Sequence, residues 1–90
     1  MDTILKSLPS ILNTFDIKDA YVFSEEDTTY MIIRRNKSIS LYDWQMFEDV
    51  TKDNCKIEKL FIISYEELTD GLRNELISKS IYVDGGNNNE

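Results

Sequence analysis

Lys59-Leu60-Phe61-Ile62-Ile63-Ser64 reads as a strand. Its four apolar residues are consecutive rather than alternating, the pattern of a strand covered on both faces. No other segment is as well suited to the middle of a sheet. The run therefore predicts a central strand, and the remaining elements are arranged around it.

Upstream, Ser40 stands where a helix N-cap belongs, with Asp43 three residues on, near the positive end of the helix dipole. The helix expected from it runs from Leu41 to about Asn54. Leu41, Trp44, Phe47 and Val50 recur every third residue and sweep a wide face suited to packing on a sheet. Asp19-Ala-Tyr-Val-Phe-Ser24 and Thr29-Tyr-Met-Ile-Ile-Arg34 are rich in β-formers. The short polar break Glu25-Glu26-Asp27-Thr28 joins them as an antiparallel hairpin. Before the hairpin, Ile4, Leu5, Leu8, Ile11, Leu12 and Phe15 fall within about 120° of one another at 100° per residue, an amphipathic helix ending near Asp16. Pro9 removes one helical hydrogen bond and predicts a kink, with the stripe continuing in phase on both sides.

Downstream, Ser64-Tyr-Glu-Glu67 fits an S-x-x-E capping box, and Tyr65, Leu68, Leu72 and Leu76 line one stripe of a helix ending near Ser78. Gly71 marks a short turn ahead of the main segment. Ile81-Tyr82-Val83 is a short last strand. Gly85-Gly-Asn-Asn-Asn-Glu90 has no apolar residue and predicts a frayed polar tail. The order is α-β-β-α-β-α-β over residues 1–84, a single α+β domain with about three helices on a small mixed sheet.

Composition narrows the chemistry. Ninety residues suffice for one domain. Ten Lys plus Arg against seventeen Asp plus Glu give −7, which argues against a general binder of nucleic-acid backbones. The absence of His removes imidazole acid/base catalysis and His metal sites, and a single cysteine, Cys55, makes neither an internal disulfide nor a thiolate zinc site. The first residues lack a basic segment and a continuous apolar run, so no signal peptide is read there and a cytoplasmic location is expected. No stretch has the length and apolarity of a membrane span.

Several stretches carry a family likeness together. A leading helix with a proline runs into Ile17-Lys18-Asp19-Ala20-Tyr21-Val22-Phe23-Ser24. Ser38-Ile39-Ser40-Leu41-Tyr42-Asp43 leads into the second helix. Lys59 to Ser64 follows, and Leu72-Arg73-Asn74-Glu75-Leu76-Ile77 precedes Ile81-Tyr82-Val83. In this order and wording the chain resembles the minimal nucleotidyltransferases of the DNA polymerase β superfamily. These are small bacterial proteins often encoded beside a HEPN-domain partner as toxin–antitoxin pairs. An active member of that family has Gly-Ser after the first strand to hold phosphates, where this chain has Phe23-Ser24-Glu25. It has two metal-binding carboxylates one residue apart on the next strand, at positions matched here by Thr29 and Met31. Its third carboxylate falls at or near Phe61, and its first hairpin is longer. The resemblance thus implies a nucleotidyltransferase-like pseudoenzyme with no catalytic residues, no cofactor and no metal site.

Other candidates each have a plain structural reading beside a functional one. Glu25-Glu26-Asp27 suits a divalent cation or a solvated turn. Arg34, Arg35 and Lys37 suit a phosphate or the acidic face of a partner, and equally a solvated strand end. Trp44 suits an interface anchor or, with Phe47, the core. Cys55 reads as a helix-end thiol and Ser24 has no visible base. The leading functional reading is a noncatalytic interaction or regulatory module, antitoxin-like, whose partner is a protein and, by the resemblance, HEPN-like. The alternatives are residual nucleotide chemistry completed by a partner, and an acidic mimic of nucleic acid. Neither membrane contact nor direct nucleic-acid binding is expected.

Overall fold

A computed structural model describes residues 2–85. Three helices, α1 (Asp2–Thr14), α2 (Leu41–Cys55) and α3 (Asp70–Ser78), accompany four strands, β1 (Ile17–Glu25), β2 (Thr28–Arg35), β3 (Leu60–Ser64) and β4 (Ile81–Asp84). The fold is α+β in the order α-β-β-α-β-α-β, with a mixed sheet ordered β3-β2-β1-β4. β1 is antiparallel to both β2 and β4, and β2 is parallel to β3.

Local signals place the helices. The Ser40 hydroxyl accepts the Asp43 N–H at 3.1 Å, the cap expected from the sequence, and α2 ends on Lys56 in the left-handed conformation. α1 runs unbroken through Pro9, and Ile4, Leu8, Ile11 and Leu12 stay buried on both sides of it. The S-x-x-E box does not cap a helix. Ser64 makes no cap hydrogen bond, and Tyr65–Glu67 form only one 3-10 turn ahead of α3. Gly85 is the first residue of the expected tail, yet it is buried and donates its N–H to the Lys18 carbonyl at 2.9 Å. Residues 86–90 of that expected tail lie outside the described residues.

Strand alternation builds two different faces. Ala20, Val22, Met31, Ile33 and Val83 point to one side, where Leu8, Leu12, Phe47 and Cys55 of α1 and α2 complete the core. On the other side the pairing register aligns Tyr21 with Tyr82, Phe23 with Tyr30, and Tyr30 with Phe61. Phe23 and Tyr30 stack with centroids 5.0 Å apart, and Tyr30 meets Phe61 edge-on at 6.0 Å. The topology puts α3 over this aromatic face. The β2-to-β3 and β3-to-β4 connections both join parallel strands but step in opposite directions. The common right-handed crossover therefore sends their helices to opposite sides. α3 and the residue after it hold on by cations: Arg73 lies over the Tyr65 ring at 4.4 Å, and Lys79 lies over Phe23 at 4.8 Å.

The strand that decides the fold is in the sheet but not at its centre. β1 and β2 are the inner strands, and β3 is an edge. Its continuous apolar run has another cause. Leu60 and Ile62 pack against the helical core, while Phe61 and Ile63 continue the aromatic face, so both faces are apolar without a neighbour beyond. Phe61 is 57% exposed. Leu41, expected to pack on the sheet, is 88% exposed, and Thr51 and Cys55 join Phe47 as the buried residues of α2.

Candidate functional site

The positions singled out by the family resemblance do not converge. Thr29 and Met31 share the helix-facing side of β2, and the β3 residues beside them there are Leu60 and Ile62. Phe61 lies next to Tyr30 on the opposite face. Met31 is fully buried. Ser24 Oγ and Thr29 Oγ1 lie 3.4 Å apart at the mouth of a groove of about 520 Å³ that also includes Cys55 and Lys56. Burial pushes the Cys55 thiol up, away from the reactive thiolate. The turn carboxylates diverge: Glu25 pairs with Lys79, and Asp27 pairs with Lys59 at 3.0 Å. Among the described residues no three His, Cys, Asp or Glu side chains gather as a metal-holding group.

The basic candidates are split between two faces. Arg34 turns to the aromatic side and is held by Asp19, with Nε to Oδ1 at 2.8 Å and Nη2 to Oδ2 at 2.5 Å. Tyr82 donates its hydroxyl to the same Oδ2 at 2.7 Å, so one buried carboxylate ties β1, β2 and β4 together. Burial raises the Asp19 carboxyl, but the hydrogen bonds from Arg34 and Tyr82 and the Arg34 charge outweigh it and hold it below the usual carboxylate range. The same contact with Asp19, then burial, pushes the Tyr82 phenol up to about 12. Arg35 points the other way, 3.1 Å from Ser64 Oγ and 3.6 Å from Glu66, with its guanidinium 5.8 Å from the Trp44 ring centre. Trp44 itself is half-buried against the core. Lys37 stands apart, 3.4 Å from Asp16. The structure thus joins Arg35 to Trp44 and commits Arg34 to the buried Asp19 carboxylate.

What the sequence reading missed is the outer edge of β3. Thr29 donates its N–H to the Lys59 carbonyl at 2.9 Å, and Thr29 is the register partner of Leu60. In a parallel ladder a residue bonds to the two residues flanking its partner, so Lys59, Phe61 and Ile63 face β2. The N–H and C=O groups of Leu60 and Ile62 therefore point outward, where among the described residues the sheet has no further strand. Beside them a groove of about 360 Å³ is lined by Tyr30, Lys52, Glu58, Lys59 and Phe61. The missed signal was the helix placed between Arg34 and Lys59. A β-α-β crossover sets the third strand outside the hairpin unless a later strand covers it. Compared with known proteins, the chain matches no family model, no curated protein and no solved structure.

Proposed function

We propose that this chain is a noncatalytic interaction module, on a nucleotidyltransferase-like scaffold, that takes an extended segment of another polypeptide onto the β3 edge. The observation that supports this reading is the open edge itself: outward backbone groups at Leu60 and Ile62, an exposed Phe61 ring, and a groove alongside. Strand addition draws affinity from main-chain hydrogen bonds and specificity from alternate side chains. The side chains at this edge offer apolar and aromatic contact area flanked by Lys52, Glu58 and Lys59, the last already paired with Asp27. An antitoxin-like role beside a HEPN-like partner is the form of the reading that the family resemblance implies.

Two titrations test it. A soluble peptide copying residues 58–65, flanked by lysines, is expected to perturb the backbone amide resonances of Leu60, Phe61 and Ile62 before any others. Nucleoside triphosphates with Mg²⁺ are expected to give no heat by calorimetry. Micromolar triphosphate binding that disappears in Ser24→Ala or Thr29→Ala would replace this reading with residual nucleotide chemistry.

A further inference from the structure

The occupant of the β3 edge is decided by the symmetry of the edge. We propose that β3 pairs antiparallel with β3 of a second copy of this chain, about a two-fold axis beside Phe61, joining two four-stranded sheets into one. This rests on reading the β3 edge as a docking surface, and it names the partner.

The outward backbone groups belong to Leu60 and Ile62, which stand one residue to either side of Phe61. A two-fold axis at Phe61 sets Leu60 of one copy opposite Ile62 of the other, twice over. Residues opposed in this way exchange both their N–H···O bonds, so every outward donor and acceptor at the two positions is satisfied. Centring the pair one residue later, on Ile62, would need the backbone of Ser64. That residue is 2% exposed, and its hydroxyl is already held between Arg35 and Glu66. Phe61 is the register the edge leaves open.

Side chains and charge agree with the backbone. Phe61 becomes a non-hydrogen-bonded pair with its own copy, the geometry in which facing side chains come closest. Its exposed ring would then stack on an identical ring. From Leu60 to Ser64 the strand carries no charge, with Lys59 before it and Glu66 and Glu67 after it. Antiparallel pairing sets Lys59 of each copy opposite Ile63 of the other and Glu58 opposite Ser64, keeping the two Lys59 side chains apart, whereas parallel pairing would set like against like. The other edge is guarded: β4 is four residues long and ends on Asp84. Short edge strands and charge are what keep an edge unpaired. β3 lacks the charge. A contact of this kind is isologous and closes at two copies.

Mass measurement by light scattering or sedimentation tests the proposal on the full chain. The wild-type chain is expected to reach the mass of two copies as its concentration approaches millimolar. Phe61→Lys and Phe61→Glu each place like charges face to face on the axis, so each is expected to stay at the mass of one copy with an unchanged circular dichroism spectrum. Mixing the two variants is expected to restore a dimer containing one of each, because only residue 61 of the second copy faces residue 61. A wild-type chain that stays single, a Phe61→Lys chain that still doubles, or variants that do not combine would each overturn the proposal. The residue 58–65 peptide separates the two readings. A chain that binds it without self-association keeps the edge as a docking site and loses the second copy as its occupant. A chain that does neither loses both.

Discussion

The Arg34 guanidinium closes on the Asp19 carboxylate with two parallel hydrogen bonds across the β1–β2 pair. Asp19 is fully buried while the Arg34 side chain is 30% exposed, so the pair is unequal: the anion depends on the cation more than the reverse. Removing Arg34 strands a charge, whereas removing Asp19 frees a guanidinium that can reach water.

Arg34→Ala is expected to destabilise the chain by about 2–3 kcal/mol, below the ~3–5 of a fully enclosed pair because Arg34 keeps some contact with solvent. Asp19→Asn combined with Arg34→Met is expected to cost less than Arg34→Ala alone. Urea denaturation of the three chains checks the order.

The pH dependence follows from the same cluster. The folded value of Asp19 is depressed, so its contribution is whole above the unfolded carboxylate value of about 4 and drains away as pH falls through the lower folded value. Tyr82 is raised to about 12, so its contribution is whole below the ordinary phenol value of about 10 and is lost as pH climbs from there toward 12. Thermal unfolding from acid to alkaline pH should show both flanks, and Tyr82→Phe should remove the alkaline one.

Phe47 and Phe61 separate core from edge. Phe47 is fully buried and edge-on to Phe15 at 5.6 Å, so Phe47→Ala is expected to cost about 3–5 kcal/mol. Phe61→Ala is expected to cost the monomer under about 1 kcal/mol, since more than half of its surface already meets water. Denaturation at concentrations too low for self-association makes the comparison.

Thr51 carries a small, removable penalty. It is fully buried on α2, and its hydroxyl has no hydrogen-bond partner among the described residues. Thr51→Val replaces an unmet polar group with a methyl in the same space and is expected to stabilise the chain by about 1 kcal/mol. A lower melting temperature would show that the hydroxyl is satisfied in solution.

Much of the architecture was legible because local signals and burial coincide. The stripe of α1, the Ser40 cap and the β1–β2 hairpin each rest on neighbours in sequence, and all three form. Leu5, however, is 43% exposed, α1 ends at Thr14, and the strands extend until only Glu26 and Asp27 are left in the turn. The errors have separate causes. Whether Leu60 to Ile63 lies inside the sheet or at its rim depends on which strand joins β1 on its free side, and the answer lies with Ile81 to Asp84. Arg34 read as a surface cation because its buried partner, Asp19, sits fifteen residues away, at a position that resembles an ordinary polar strand start. Leu41 misled for a simpler reason: a three-residue repeat drifts around a helix, and its first member fell outside the buried arc.

The attachment of β4 to β1 sets the timing of folding during synthesis. Tyr82 reaches Asp19 across 63 residues, and β4 is the last element before the end of the described chain. While the ribosome still encloses that segment, the hairpin, α1 and α2 can assemble outside, with Asp19 held by Arg34 alone and the flank of β1 unpaired. Closure of such distant contacts is slow compared with local helix and hairpin formation. Until β4 emerges a nascent chain therefore exposes two open edges, and among the described residues only the one at β1 has a strand of its own to fill it.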